Sequence, residues 1–249
     1  MSQKSYVQDE TQSLLVWLTK TEQREQGWEV WPFPCIGGWR FLNLTMCTMP
    51  QYDEILSRLR EGQKLLDLGC CFGQEIRKLT LDGAPQGNLY GSDLRPEFFD
   101  LGYDLFLDKD RCKATFIAAD LFAEPEELKQ LYGQISIIYT GSFFHLFNWD
   151  GQVKAARIVA KLLKPEAGSM LLGRQVGSVS PGLYEHGTNP GGGMYRHDSD
   201  SWKKLWEEAM GSTASEWQVE ADLRTQPRLN DKRLTDEKTR ELRFCVRRL

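Results

Sequence analysis

Three aspartates in this chain stand where short apolar runs end and the backbone must turn. Asp67 closes Lys64-Leu65-Leu66 and leads into Leu68-Gly69-Cys70-Cys71-Phe72-Gly73. Asp93 follows Asn88 to Ser92, and Asp120 follows Ala114 to Ala119 with Leu121 and Phe122 behind it. A buried strand, a turn bracketed by Gly69 and Gly73 and a helix opening at Gln74 make a place where a small charged ligand rests on backbone N–H groups. Asp93 lies twenty positions beyond Gly73, the distance at which an acid ending a second strand reaches ribose hydroxyls. Its plainer reading is a cap for the helix that starts at Pro96. Together the residues offer the chemistry of a nucleoside cofactor site.

The loop itself discriminates between cofactors. A dinucleotide fingerprint needs a second glycine so that the backbone can approach a pyrophosphate. Cys70-Cys71-Phe72 supplies none, and Asp67 would repel a pyrophosphate while favouring a ligand that carries an ammonium and a sulfonium. The runs Asp67 to Gly73, Ser92-Asp93-Leu94 and Ala119-Asp120-Leu121-Phe122 resemble the first three motifs of class I S-adenosylmethionine (SAM)-dependent methyltransferases. The double cysteine, with Trp28-Glu29-Val30-Trp31-Pro32-Phe33-Pro34-Cys35-Ile36-Gly37 upstream, is similar to methyltransferases of fungal natural-product pathways. The similarity is especially to those that esterify the carboxyl group of meroterpenoid intermediates. The resemblance runs from about Trp28 to Leu146 and is weaker beyond. Cys71 departs from the superfamily pattern, in which a middle glycine is common.

The resemblance implies an α/β fold, a doubly wound, mostly parallel seven-stranded sheet, with SAM as cofactor. It places Asp67, Gly69, Cys70, Gly73, Asp93, Leu94, Asp120, Leu121, Phe122 and Thr140 against that cofactor. It also implies that Asp120 meets the adenine amino group while its apolar neighbours flank the ring. The carboxyl acceptor is implied by the resemblance alone. N-methylation of a small molecule, or a cofactor-binding regulatory subunit without turnover, are the alternatives.

The acceptor side rests on thinner signals. Strand four, Ile135 to Tyr139, runs into Thr140-Gly141-Ser142-Phe143-Phe144-His145, and His145 is the catalytic candidate. It would act as a base for a hydroxyl or orient a carboxylate by a hydrogen bond; a structural histidine is the alternative. A carboxylate is ionised at neutral pH and needs no base. Trp31, Phe33, Phe143 and Phe144 are candidates for the wall of an apolar acceptor site, and Tyr195 and His197 follow a glycine-rich stretch that brings them near it. The aromatic segment equally well packs the N-terminus onto the sheet. Arg40 would grip the methionine carboxylate, a substrate acid or only solvent.

These residues need a scaffold. Helices are expected over residues 8–26, 51–59, 74–81, 149–163 and 199–210, with Asp198 capping the last. Strand five is expected over Ser169 to Gly173, followed by a long irregular loop from Gln175 to Tyr195. Glu216 to Arg224 and Glu241 to Arg247 form an antiparallel hairpin. Residues 1–50 read as a helical and aromatic cap, whose helix is a packing element, a dimer contact or a lid, and residues 51–249 as the cofactor domain.

Composition narrows the partners. A net charge of −4 argues against binding nucleic acid through its phosphates, and the basic residues near the C-terminus alternate with acids. Six cysteines form no C-x-x-C pair and have no neighbouring histidines, so no metal is expected and the thiols read as reduced. No apolar run suits a signal peptide or a membrane span. The expectation is a cytoplasmic enzyme with a small apolar or aromatic acceptor, and a homodimer is possible.

Overall fold

A computed structural model of the chain describes residues 21–185, 193–225 and 237–249. Its centre is a seven-stranded sheet in the order β3-β2-β1-β4-β5-β9-β8. The strands are β1 Leu65–Leu68, β2 Leu89–Asp93, β3 Thr115–Ala118, β4 Ile137–Gly141, β5 Met170–Ser178, β8 Trp217–Arg224 and β9 Thr239–Arg248. The five from β3 to β5 are parallel, and β9 and β8 add on antiparallel. The remaining pair, β6 Gly182–Glu185 and β7 Gly193–Arg196, forms a separate hairpin. The doubly wound fold implied by the sequence is the fold observed.

Parallel strands buried on both faces carry continuous apolar runs, and each face takes alternate residues. Leu66, Ile138 and Leu171 face α5 Trp149–Leu162 and α6 Ser199–Met210, where they pack with Phe144, Trp202 and Trp206. Leu65, Ile137, Met170 and Leu172 face α2 Tyr52–Arg60 and α3 Gln74–Leu81, against Ile55, Leu59, Ile76 and Leu79. A third cluster joins Ile36 and Phe41 of the N-terminal segment to Phe72 of the first loop and to Phe98 and Leu105 of α4 Glu97–Phe106.

Three expectations need correction. Helix α1 runs from Thr21 to Val30, past the expected end at residue 26 and through Gly27. A Cβ on Gly27 would come within 2.8 Å of the Phe72 ring, so this glycine lets the helix approach the first loop. The rest of the expected first helix, residues 8–20, lies outside the described residues. Strand β5 continues past Gly173 to Ser178, because the nine-residue antiparallel pairing with β9 satisfies the backbone of Gln175 to Ser178. The stretch read as an irregular loop is therefore strand end plus hairpin, with residues 186–192 outside the described set.

Candidate active site

The carboxyl ends of β1, β2, β4 and β5 lie side by side, which brings the loops after them to one edge of the sheet. Open α/β sheets bind ligands at this edge. Behind β1 the chain turns through Gly69 and Gly73, both at positive φ, and Cys71 does the same at φ 51° without being a glycine. Gly69 and Cys70 donate their N–H groups to the Ser92 carbonyl at 2.8 and 3.1 Å. Asp93 accepts from the Cys71 N–H at 2.9 Å and from the Arg95 N–H at 3.2 Å, so the acid expected at the ribose also fixes the cofactor loop.

Acids converge beneath this loop. Asp67 is 2% exposed and its Oδ2 has no hydrogen-bond partner. Burial, with Glu75 and Asp93 nearby, pushes its carboxyl well above the usual range. Burial raises Asp93 and Glu75 as well, each partly opposed by the N–H groups it accepts. Glu75 accepts from the N–H groups of Thr45 and Met46 at 2.8 and 3.3 Å, which ties the N-terminal segment to α3. Its Oε2, Gln74 Oε1, Thr140 Oγ1, Arg174 Nε and Gln175 Nε2 are buried side-chain atoms without a hydrogen-bond partner, like Asp67 Oδ2. Buried polar groups are nearly always bonded, so such a concentration at one sheet edge marks a ligand site.

These residues fit SAM. The unbonded acid suits the cationic methionine end, Asp93 suits the ribose, and Leu94, 58% exposed, offers an apolar surface beside it. Asp120 uses Oδ1 to cap the Phe122 N–H at 2.9 Å and stays exposed at the end of β3. Leu121 is buried in the core and Cys70 is buried under the loop, so both support the site from below. The Phe122 ring meets Phe147 edge-on at 4.9 Å, and Phe147 in turn meets Phe143 at 5.3 Å.

The acceptor candidates scatter. Phe143 lies on the cofactor loop, where a Cβ on Gly69 would come within 2.9 Å of its ring. Phe144 is 0% exposed, packed edge-on against Trp202 and Phe244, and belongs to the core instead of an acceptor wall. Trp31 and Phe33 pack towards α4, with the Arg95 guanidinium 4.7 Å over the Trp31 ring and Phe98 beside Phe33. Tyr195 and Trp149 stack edge-on at 5.0 Å. His197 is fully buried, bonded to Ser201 Oγ at 3.0 Å and Gln152 Oε1 at 3.1 Å, and burial lowers its pKa to about 3. With both ring nitrogens committed, it braces α5 against α6. His145 is buried in the turn after β4, and its backbone N–H donates to Gln175 Oε1 at 3.1 Å. Sequence reasoning missed Glu75, Ser142, Arg174 and Gln175. The available signal was the polar Arg174-Gln175 pair that follows the apolar start of β5.

The fold is the seven-stranded α/β scaffold of class I SAM-dependent methyltransferases, and the comparisons with known proteins decide the family. No protein-family model matches the chain. It is 46% identical over 212 residues to the O-methyltransferase phiE of Fungal sp. (strain ATCC 74256), which covers 84% of this chain and 69% of that protein. It is 45% identical to the O-methyltransferase atr3 of Stereocaulon alpinum, over 91% of this chain and 66% of that protein. With the asnovolin E/chermesin D methyltransferase nvfJ of Aspergillus novofumigatus the identity is 42%, over 79% and 71%. The chain belongs to this family of fungal methyltransferases and spans about two thirds of the length of these relatives.

The fold is shared more widely. A SAM-dependent methyltransferase from Mesorhizobium loti superposes with a TM-score of 0.51 at 16% identity, over 82% of this chain and all of that one. The [4+2]-cyclase SpnF gives 0.54 at 15% identity, over 79% and 81%. One scaffold thus carries different chemistries, and it is the family membership that selects methyl transfer.

Proposed function

We propose that the chain transfers a methyl group from SAM to an oxygen, foremost a carboxyl oxygen, of a small apolar intermediate of fungal secondary metabolism. The observation that carries this reading is the buried Asp67 carboxyl, its Oδ2 unbonded, beside a positive-φ glycine turn at the carboxyl edge of the sheet. The names of the relatives, which include methyltransferases of asnovolin E and chermesin D, support a natural-product acceptor. Of the 1–50 segment, the described residues 21–50 act as a cap over the cofactor domain, a role supported by the Glu75 bonds to Thr45 and Met46. All six cysteines are free thiols, which supports a reducing, cytoplasmic setting. Among the described residues no helix is long and apolar enough to cross a membrane.

Bound SAM supplies a methyl group on a sulfonium, whose leaving group is already good. The chain therefore contributes alignment and exclusion of water, worth ~7–11 kcal/mol when the geometry is near ideal. Asp67 balances positive charge, Asp93, Asp120 and Thr140 hold the cofactor, and His145, in the turn after β4, is assigned to the acceptor side. A carboxylate acceptor arrives ionised, so His145 is assigned an orienting role.

The test is incubation with methyl-labelled SAM and a panel of aromatic acids, phenols and amines. A base-labile labelled product from the acids is expected. Labelling of amines only, or none with any acceptor while SAM binds in calorimetry, overturns the reading.

A further inference from the structure

Arg174 differs from Arg77, Arg243 and Arg247, each of which is paired with an acid. Arg77, in α3, sits in a bidentate pair with Asp108 at 2.7 and 2.9 Å. Arg247 forks onto Glu54 at 2.8 Å through both terminal nitrogens. Arg243 donates to Glu241 at 2.6 Å. Arg174 stands midway along β5, opposite Gly141 at the carboxyl end of β4, and among the described residues it makes no ion pair. Its one side-chain hydrogen bond goes to Ser142 Oγ at 2.5 Å, and its Nε is buried without a partner. Glu75 is near enough to feel its charge, with Oε1 taken by the Thr45 and Met46 N–H groups and Oε2 unbonded, but no hydrogen bond or ion pair joins the two side chains. Cys35 of the N-terminal segment and Tyr139 of β4 also lie within its field, so the guanidinium sits under the cap.

A guanidinium taken out of water is costly unless an anion meets it, and its planar fork matches a carboxylate. The residue it does hold, Ser142, adopts φ 64°, a left-handed conformation that a serine rarely takes. The Ser142 N–H also donates to the Arg174 carbonyl at 2.7 Å. Arg174 therefore fixes the turn after β4 through both its backbone and its side chain, and presents an unused donor at the same edge.

We propose that Arg174 is the anion receptor of this site and determines its preference for a carboxylate, supplied by the methyl acceptor or by the methionine part of the cofactor. The proposal rests on the carboxyl reading above only for the first source. Two arms separate the sources. In one, benzoate and benzamide are titrated into the full chain in the presence of S-adenosylhomocysteine, which needs no turnover. In the other, SAM is compared with its decarboxylated analogue in calorimetry.

The wild type is expected to prefer the carboxylate form in one of the two arms. Arg174→Met should erase that preference, at least about tenfold, and Arg174→Lys should keep part of it. Loss in the first arm assigns the acceptor; loss in the second assigns the cofactor. Ser142→Ala removes the hydroxyl that Arg174 holds and leaves the guanidinium in place, so it should retain the preference. Should the wild type show no preference in either arm, or Ser142→Ala lose it as fully as Arg174→Met, Arg174 is only a brace for the turn and the proposal falls. If Arg174→Met fails to fold, the wild-type preference and the Arg174→Lys and Ser142→Ala variants decide the matter alone. An enzyme that methylates no acid but still prefers benzoate would sink the carboxyl reading and leave Arg174 standing.

Discussion

Two groups of buried polar side chains lie in this molecule and are treated in opposite ways. Between α5 and α6, His197, Ser201 and Gln152 satisfy one another: both ring nitrogens are bonded, and Gln152 Nε2 also donates to the Phe147 and Tyr195 carbonyls. At the carboxyl edge Asp67, Glu75, Thr140, Arg174 and Gln175 keep buried atoms without partners. The first group is closed, as a polar network inside a core must be. The second is open, with unbonded oxygens on Asp67 and Glu75 and an unbonded nitrogen on Arg174.

The largest effect should come from breaking the open group. Asp93→Ala removes the acid placed for the ribose and also the acceptor of the Cys71 N–H. Two charge-assisted hydrogen bonds lost should cost about 3 kcal/mol, or about a hundredfold in SAM affinity by calorimetry. Affinity within threefold of wild type would place the nucleoside elsewhere. In the closed group, His197→Leu leaves Gln152 Oε1 and Ser201 Oγ buried without the ring between them. The expected cost is about 3 kcal/mol of stability, read as a melting temperature lower by about 6–12 °C, with SAM affinity unchanged. An intact melting temperature with acceptor binding lost would return His197 to the substrate side.

Titration should sharpen the contrast. Asp67, Glu75 and Asp93 have folded pKa values raised by burial, so the folded state binds protons more tightly than the unfolded one. Their effect is to withdraw stability as pH rises from the ordinary carboxylate range through the raised values. His197, with a folded pKa of about 3 against an ordinary 6.5, works in the other direction and withdraws stability as pH falls between those values. Asp67→Asn should therefore stabilise the ligand-free protein at neutral pH by about 1 kcal/mol, a rise of about 2–4 °C, while weakening SAM binding. The gain should shrink as pH is lowered. A melting temperature that drops at neutral pH would mean that the acid is already compensated.

Much of the closed part was legible in the sequence, and little of the open part beyond the cofactor loop. The helices Gln74–Leu81 and Ser199–Met210 announce themselves by apolar spacing and caps, because those signals are local. The Asp67, Asp93 and Asp120 strand ends were legible for the same reason. Arg174 was not, since the reading stopped β5 at Gly173 and the residues that prolong the strand lie in β9, some seventy positions on. The first helix was expected to end at residue 26, before Gly27, because the role of that glycine, contact with Phe72, is tertiary. His197 and Phe144 looked like site residues by their position after turns; only packing shows that their rings are used up inside.

Cys71 is where local and tertiary demands meet, and it supports the smallest prediction. A non-glycine residue in the left-handed region costs about 1–2 kcal/mol, which is why the middle of such loops favours glycine. Here the Cys71 N–H is held by Asp93, and its side chain packs beside Ile36 and Phe72. Cys71→Gly relieves the backbone but adds freedom to the unfolded chain and gives up that packing, so the opposing effects nearly cancel. Stability should change by no more than about 0.5 kcal/mol, and SAM affinity by less than about twofold, since the N–H that Asp93 holds is kept. Cys71→Val keeps a side chain but branches it at Cβ, where the left-handed conformation tolerates it least. It should lower stability by about 1–2 kcal/mol and weaken SAM binding, as the loop turns its N–H away from Asp93. Equal behaviour of the two variants in a melting and binding series would mean that the loop is held by something other than Asp93, and would move the ribose anchor off β2.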